Sequence, residues 1–303
     1  MSRTSHRWLV GAVAVSLAGV LAACGGENEP DTTDDFTTET TYSAGDLTLP
    51  DRPEKIVSLS GTTTEMLFAI GAGDQVEAVD MLSTYPPEAP VTDLDAFVPS
   101  VEAIVAYEPD LVVLSHDQND IIAQLEQVDV PVYYAPAAAT LDDTYQQISD
   151  LGALTGNTDA ATTLNDDMAT QIEKLTADLP DRETQLSVYY ELDGELFSLT
   201  SDTYAGSLLE LAGLKNIADD AADAAETGGY PQLSSEFILD SDPDLIFVAG
   251  GTEAADVESR DGWDTVSAVE NGHVIALDDD IASRWGPRVV DLMEAITTAI
   301  QAV

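Results

Sequence analysis

Short apolar segments of two kinds alternate along the chain from about residue 46 onward. One kind is a compact run that predicts a strand: Ile56–Ser60, Gln75–Asp80, Leu111–Leu114, Val132–Tyr134, Leu186–Tyr190, Leu245–Val248 and Val274–Leu277. The other kind has helical spacing and predicts a helix: Glu65–Ile70, Val101–Tyr107, Ile121–Val128, Ala205–Leu211, Glu236–Asp240 and Val289–Ile300. Alternation of strand and helix is typical of parallel sheets with helices on their faces.

The alternation stops between residues 141 and 180, where no strand is indicated. Apolar residues recur there at steps of three and four: Leu164, Met168, Ile172, Leu175 and Leu179. That spacing places them in one stripe, which predicts a long amphipathic helix. The strand and helix pattern resumes after Pro180.

One phrase occurs on both sides of this helical segment. Residues 101–114 read VEAIVAYEPDLVVL, and residues 235–248 read SEFILDSDPDLIFV. The repeat predicts an α/β protein of two similar lobes, with mostly parallel sheets flanked by helices. One long backbone helix would join the lobes, and a ligand cleft would lie between them. Glu102 and Glu236 open the phrase, and favourable interaction with the helix dipole is one explanation for them.

Charge excludes several classes of partner. The chain has 57 acidic residues against 10 basic ones, a formal net charge of −47. Such a chain is repelled by nucleic acids and by anionic lipid, so nucleic-acid binding is not expected. The acidic residues are spread between the apolar segments, which indicates a heavily acidic, soluble surface that reflects compositional adaptation and not ligand choice.

The N-terminus has the features of a processing signal. Arg3 and Arg7 precede the apolar stretch Trp8–Ala23, which is short for a membrane span. Leu-Ala-Ala-Cys at its end resembles a bacterial lipoprotein signal, in which Cys24 would be lipidated. Cys24 is the only cysteine, so no internal disulfide can form.

These features divide the chain into five parts. They are a lipoprotein signal peptide (1–23), a flexible acidic tether (24–45), an N-terminal α/β lobe (46–140), a linking helix (141–180) and a C-terminal α/β lobe (181–303).

Catalytic motifs are missing from the sequence. It has no glycine-rich phosphate loop, no Gly-x-Ser-x-Gly elbow and no thiol left for catalysis. Ser115, His116 and Asp117 are adjacent, but neighbours in sequence do not build a triad. His116 and His273 are too few for a bare transition-metal site. We therefore expect a protein that is not an enzyme and that has no cofactor or resident metal.

A cleft between the lobes should be lined by loops at the strand ends. The candidate ligand-binding residues are Ser60, Gly61, Thr62, Tyr85, Phe97, Tyr230, Asp280, Arg284 and Trp285. Arg284 is notable because arginine is scarce in this chain, and an Arg-Trp pair before Gly-Pro makes a poor core strand.

Residues 50–300 resemble the substrate-binding proteins of ABC importers for vitamin B12 and iron chelates, the group with a helical backbone between lobes. The resemblance is carried by the order and spacing of RPEKIVSLSGTTTEMLFAIGAGDQVEAVD, STYPPEA, the two copies of the repeated phrase, and GWDTVSAVENGHVIALDDDIASRWGPRVVDLMEAI. In that family one glutamate on each lobe docks into arginine pockets of the permease. The matching positions here are Glu102 and Glu236.

The match to the cobalamin-binding member is partial. Tyr230 stands where that protein has a Trp before Pro-Gln, whereas Asp280 and Arg284 match its Asp and Arg. Its aromatic pair on the first lobe falls near Leu82 and Ala96, which do not match.

The resemblance implies a monomer tethered outside the cytoplasm by lipidated Cys24. It would pass a metal chelate, slightly favoured to be a corrinoid, to an ABC permease and through it to an ATPase. A ferric siderophore or haem is the alternative within the family. A secreted hydrolase on a two-lobed scaffold, or a lipid-anchored adhesin or sensor, is the alternative of another class.

Overall fold

The computed structural model describes residues 41–303. The signal segment 1–23, and residues 24–40 of the predicted tether with Cys24, lie outside the described residues. Within residues 41–303, no helix combines the length and the apolar character needed to cross a bilayer.

A hairpin precedes the first lobe. Strand β1 (Tyr42–Ala44) pairs antiparallel with β2 (Leu47–Leu49) across a turn at Gly45, whose φ is +55°. Leu49 is buried, and Tyr42 and Ala44 pack against the core. Folded structure therefore begins earlier than the predicted boundary at residue 46, because the apolar side chains of this short segment have a core to cover.

The N-terminal lobe is built on a parallel sheet. Its strands are β3 (Ile56–Leu59), β4 (Val76–Val79), β5 (Leu111–Leu114) and β6 (Val132–Tyr134). They lie in the order β4-β3-β5-β6, with Ile56 of β3 opposite Leu111 of β5. The helices of this lobe are α1 (Gly61–Ala69), α2 (Val101–Val105) and α3 (Ile121–Glu126).

The linking segment consists of two helices, which corrects the prediction of a single helix over 141–180. Helix α4 (Leu141–Thr155) ends at Gly156, which has left-handed φ and ψ of 74° and 21°. Helix α5 (Thr158–Ala177) then packs back along α4, and the Asn165 side chain donates to the Tyr145 carbonyl at 2.9 Å. The predicted apolar stripe begins on α5, so α5 is the long helix between the lobes.

The C-terminal lobe repeats the topology of the first. Its strands are β7 (Ser187–Glu191), β8 (Lys215–Asn216), β9 (Leu245–Val248) and β10 (Val274–Ala276). Their order, β8-β7-β9-β10, matches β4-β3-β5-β6 strand for strand, and all neighbours are parallel. The helices are α6 (Tyr204–Leu211), α7 (Ser235–Ser241), α8 (Ala254–Glu258), α9 (Ser267–Glu270), α10 (Asp279–Ala282) and α11 (Val289–Ala302). Two similar lobes are thus confirmed.

The repeated phrase forms the same unit in each lobe: a short helix, a turn and a central strand. The aspartate of the phrase ties that turn to the start of the lobe's first strand. Asp110 accepts hydrogen bonds from the backbone N–H of Lys55, and Asp244 accepts one from the N–H of Ser187 at 2.8 Å. This long-range role explains why the turn carries an aspartate both times.

Each sheet is covered on both faces, as the apolar strands require. On β5, Leu111 and Val113 face a core that continues through α4, α5 and α11 into the other lobe. Val112 and Leu114 face a separate outer core packed by α2 and α3. The central strand β9 alternates in the same way between the shared core and an outer core around Trp263. The shared core joins the two lobes.

Candidate functional site

A cavity of about 430 Å³ lies where the carboxyl ends of the strands of one lobe face the loop 280–285 of the other. Its N-terminal wall comes from residues that follow β3, β4 and β5, and its opposite wall comes from α10 and the turn behind it. The lining residues are Leu59, Ser60, Gly61, Thr62, Asp80, Leu82, Thr84, Ala96, Phe97, His116, Asp280, Ser283, Arg284 and Trp285. Ligands of parallel α/β sheets bind at this end of the strands.

A larger recess, about 700 Å³, lies at the other end of the N-terminal sheet. Its lining includes Pro53, Asp110 and Pro131, which precede β3, β5 and β6. These residues face the amino ends of the strands, and Asp110 is already occupied by backbone N–H groups. The smaller cavity between the lobes is therefore the better candidate site.

A buried carboxylate ties the two lobes together beside this cavity. Glu65 on α1 is only 2% exposed, and it accepts hydrogen bonds from both Arg284 and Arg288 of the C-terminal lobe. Arg288 approaches as a fork, with Nε 2.9 Å from Oε2 and Nη2 2.6 Å from Oε1. Burial of the carboxylate is tolerable because two guanidinium groups compensate it.

Arg284 reaches three acceptors at the cavity wall. Besides Glu65, it donates to Asp280 Oδ1 at 2.7 Å and to the Leu82 carbonyl at 3.2 Å. Gly61 allows this approach, because a Cβ at residue 61 would stand 2.8 Å from the Arg284 Cζ. Arg284 therefore both lines the cavity and connects the lobes.

Trp285 is held in place from the linking segment. Its indole Nε1 donates to Gln147 Oε1 at 2.9 Å, and its carbonyl accepts from the Thr144 hydroxyl at 3.0 Å. Both partners lie on α4. The C-terminal wall of the cavity is thus fixed through Glu65 on one side and through α4 on the other.

The N-terminal wall is held by buried hydroxyl groups. Ser115, just after β5, donates to Ser60 Oγ at 2.8 Å, which joins the ends of two neighbouring strands. Asp80, just after β4, accepts from the Leu82 N–H at 2.7 Å and from the Ser83 hydroxyl at 2.9 Å. Burial raises the pKa of the Asp80 carboxyl above its ordinary value, although these hydrogen bonds oppose the shift.

Seven of the nine predicted ligand-binding residues line the cavity, and Tyr85 and Tyr230 do not. The Tyr85 ring lies under Arg288, with the guanidinium carbon 4.2 Å from the ring centroid. Tyr230 is exposed, and the residues after it pair with the segment 196–198, where the Ser198 N–H donates to the Pro231 carbonyl.

Asp80, Leu82 and His116 line the cavity but were not predicted as ligand-binding residues. Each of them follows β4 or β5 of the N-terminal sheet. A position just after a strand of a parallel sheet is the feature of the sequence that could have predicted them as cavity residues. The His116 ring packs against Phe97 with 5.9 Å between centroids. Among the described residues, no group of three or more His, Cys, Asp or Glu side chains could hold a bare metal ion.

Glu102 and Glu236 lie in equivalent places on the two lobes. Each is exposed in the first turn of its helix, α2 or α7, and each helix is capped by a serine hydroxyl. A helix in a parallel α/β unit runs antiparallel to its strands, so its first turn lies near their carboxyl ends. Both carboxylates therefore lie on the side of their sheet that faces the cavity.

Known proteins share this architecture and much of this sequence. Residues 56–281 match the family described as periplasmic binding protein. An ABC transporter substrate-binding lipoprotein of Bacillus subtilis is 30% identical, over 84% of this chain and 82% of that protein. A cobalamin-binding protein of Halobacterium salinarum is also 30% identical, over 86% of this chain and 73% of that protein.

A solved structure supports the same relationship. The periplasmic vitamin B12 binding protein of Vibrio cholerae superposes with a TM-score of 0.67 at 26% identity, covering 82% of this chain and 97% of that one. Sequence and fold thus agree over both lobes and the segment between them. The chain belongs to the periplasmic binding protein family, which is a family of binding proteins and not of hydrolases.

Proposed function

We propose that this protein captures a corrinoid outside the cytoplasm and delivers it to an ABC import permease. The observation that carries the proposal is the cavity between the lobes, in a chain related to a cobalamin-binding protein over most of its length. The cavity is lined by the apolar side chains Leu59, Leu82 and Phe97 and by ionisable side chains on both walls, which suits a ligand with an apolar ring and polar edges. A haem or a ferric siderophore is the alternative ligand.

A ligand screen tests this proposal directly. The mature protein would be melted with cyanocobalamin, cobinamide, haem and a ferric hydroxamate, and hits would be confirmed by calorimetry. Binding of a corrinoid at micromolar or tighter affinity should raise the Tm, since a ligand that binds only the folded state stabilises it. Failure of every chelate in this set to bind would overturn the proposed function, and binding of the hydroxamate alone would overturn the corrinoid.

Delivery would depend on Glu102 and Glu236, which present one exposed carboxylate on each lobe. The shared core and the Glu65 contacts hold the lobes together, so the two anchors keep a defined spacing. Arginine pockets of a permease could then bind both carboxylates at once. Lipidation of Cys24 would keep the protein at the membrane surface near its permease.

The docking role predicts a specific loss. Changing both Glu102 and Glu236 to Ala should abolish uptake in cells while ligand affinity and Tm stay nearly unchanged. Each single change should cost less, because one anchor still orients the complex. A matched control changes Glu126 and Glu270 to Ala, two exposed glutamates that also lie one on each lobe. Normal uptake by the Glu102→Ala/Glu236→Ala variant would leave these glutamates as ordinary helix-start residues.

A further inference from the structure

The candidate site has little free positive charge. Among the described residues that line the cavity there is one arginine, Arg284, and there is no lysine. Two acids, Asp80 and Asp280, line the same cavity, and Arg284 donates to Asp280 Oδ1 at 2.7 Å. Burial raises the pKa of the Asp80 carboxyl, and the charge of Arg284 is among the influences that oppose this rise. One guanidinium group thus acts on two acids of the cavity wall.

A third acid neutralises Arg284 from behind the cavity. Glu65 is not a lining residue and its side chain is 2% exposed, so a ligand in the cavity would not contact it. It accepts from Arg284 Nη1 and also accepts the forked pair from Arg288, whose guanidinium group lies over the Tyr85 ring outside the lining. Among the described residues in and behind the cavity, three carboxylates therefore face two guanidinium groups.

This arrangement fits a ligand edge that both donates and accepts hydrogen bonds. Gly61 and Thr62 line the cavity at the start of α1, where backbone N–H groups have no partner within the helix. These groups and Arg284 can donate, whereas Asp80 and Asp280 can accept. An amide supplies both a donor and an acceptor, but an ionised carboxylate only accepts. A carboxylate edge would also be repelled by the acids, and repulsion between charges is stronger in a partly buried site than in water.

We propose that Glu65 sets the charge class of the ligand: by neutralising Arg284 from behind, it makes the cavity favour chelates with amide edges over chelates with free carboxylates. This inference rests on the proposed function and narrows its ligand class. Glu65 acts through Arg284 and is therefore a positioning residue. Without the charge of Glu65, the guanidinium group of Arg284 would be left to pair with a carboxylate of the ligand.

The test compares two ligands that have the same ring and the same metal but differ in the charge of their edges. Dicyanocobinamide has amidated edges, whereas dicyanocobyrinic acid has the same corrin ring with free carboxylic acids. Cyanide fills both axial positions of each compound, so the metal itself offers no site to the protein. A difference in affinity between them therefore reports on the edges.

The variants separate the charge of Glu65 from its contribution to the fold. Glu65→Gln removes the charge, and Glu65→Asp keeps it. Glu126→Gln is the matched control, because it removes one charge from an exposed residue outside the cavity lining. Asp280→Asn releases Arg284 from its other side and replaces Glu65→Gln if that variant does not fold, since Asp280 is exposed.

Affinities are measured by equilibrium dialysis under conditions that isolate the cavity from other charges. A pH of about 8 keeps ordinary imidazole groups uncharged. A KCl concentration of about 1 M shortens the screening length to about 3 Å, which removes most of the effect of the distant acidic surface.

We expect wild type to bind the amidated corrin at least about a hundredfold more tightly than the acid. Glu65→Gln and Asp280→Asn should each reduce this ratio by at least about tenfold, chiefly because the acid binds more tightly. Glu65→Asp should keep most of the ratio, and Glu126→Gln should match wild type. The ratio is the informative quantity, because a general disturbance of the cavity weakens the binding of both ligands alike.

Two outcomes would overturn the role of Glu65 while leaving the proposed function intact. One is nearly equal affinity of wild type for the two corrins. The other is a ratio in Glu65→Gln and in Asp280→Asn that equals the ratio in Glu126→Gln.

Parallel titrations with haem and with haem dimethyl ester cover the case in which neither corrin binds, which would overturn the corrinoid of the proposed function. Preference of wild type for the ester would then support the inference, and equal binding or preference for haem would overturn it. Absence of binding by all of these compounds would overturn the proposed function and this inference with it.

Discussion

Three carboxylates are almost completely buried among residues 41–303, those of Glu65, Asp80 and Glu191, and arginine holds two of them. Glu65 is bound by Arg284 and Arg288, and Glu191 accepts a forked pair of hydrogen bonds from Arg260, both at 2.6 Å. Three of the chain's 10 basic residues therefore compensate buried acids. Because basic residues are scarce in this chain, few other side chains could take the place of these arginines.

Sequence reasoning identified Arg284 but did not identify Glu65 as its partner. The rarity of arginine marked Arg284, whereas Glu65 is one acid among many, at the start of a helical segment. Its burial depends on residues more than 200 positions away, which local pattern does not report. The same reason explains why Tyr85 was wrongly expected to line the cavity. Its ring packs against the guanidinium group of Arg288, which is also distant in sequence.

Glu65→Gln should destabilise the protein by about 3–5 kcal/mol, because it leaves two adjacent guanidinium groups without their carboxylate. Urea denaturation of the mature protein at fixed salt measures the free energy of unfolding. Glu126→Gln is the matched control, since Glu126 is exposed and its loss should change stability by less than about 0.5 kcal/mol. A penalty for Glu65→Gln as small as that of the control would show that the cluster contributes little.

Local sequence pattern predicted most of the strands and the helices beside them. It succeeded because the central strands are buried on both faces and are apolar throughout, as for β5 and β9. It missed the two-residue strand β8 and the short helices α8, α9 and α10, which are too brief to show periodicity. It also joined α4 and α5, because no strand was indicated between residues 141 and 180.

The break between α4 and α5 depends on Gly156. Its φ of +74° is one that residues with a Cβ adopt at a cost, and an added Cβ would lie 3.1 Å from the Tyr42 ring. Gly156→Ala should therefore lower the free energy of unfolding by about 1–2 kcal/mol or more. Thermal melting with Gly194→Ala as control isolates the effect, since Gly194 is exposed and a Cβ there meets nothing within 4 Å. Equal melting temperatures of the two variants would count against this account of the break.

At the scale of the whole molecule, the repeated phrase correctly indicated two lobes, and their sheets prove to have the same strand order. The sequence indicated a helical connection between the lobes, but it did not indicate that they share a core. One core runs through both of them and through α4, α5 and α11, and the Glu65 contacts close the side near the cavity. The two lobes thus form one continuous body. The candidate ligand site lies beside the Glu65 contacts that join the lobes.

The net charge acts on this body as a whole. A formal charge of −47 places like charges close together over the surface, and their repulsion favours the expanded unfolded chain. Added salt should reduce that repulsion, because the screening length falls from about 10 Å at 0.1 M to about 3 Å at 1 M. We therefore expect the Tm at pH 7 to rise steadily as KCl is increased through this range.

If charge repulsion causes the salt effect, two further results are expected. The salt effect should shrink as the pH is lowered toward about 4, since the carboxylates are then partly protonated and the repulsion is already weaker. The penalty of Glu65→Gln should hardly change with salt, because the cluster is buried and salt screens buried pairs poorly. A Tm that stays constant or falls with KCl at pH 7 would mean that surface repulsion does not limit stability. A salt effect of equal size at both pH values would point to burial of apolar surface instead.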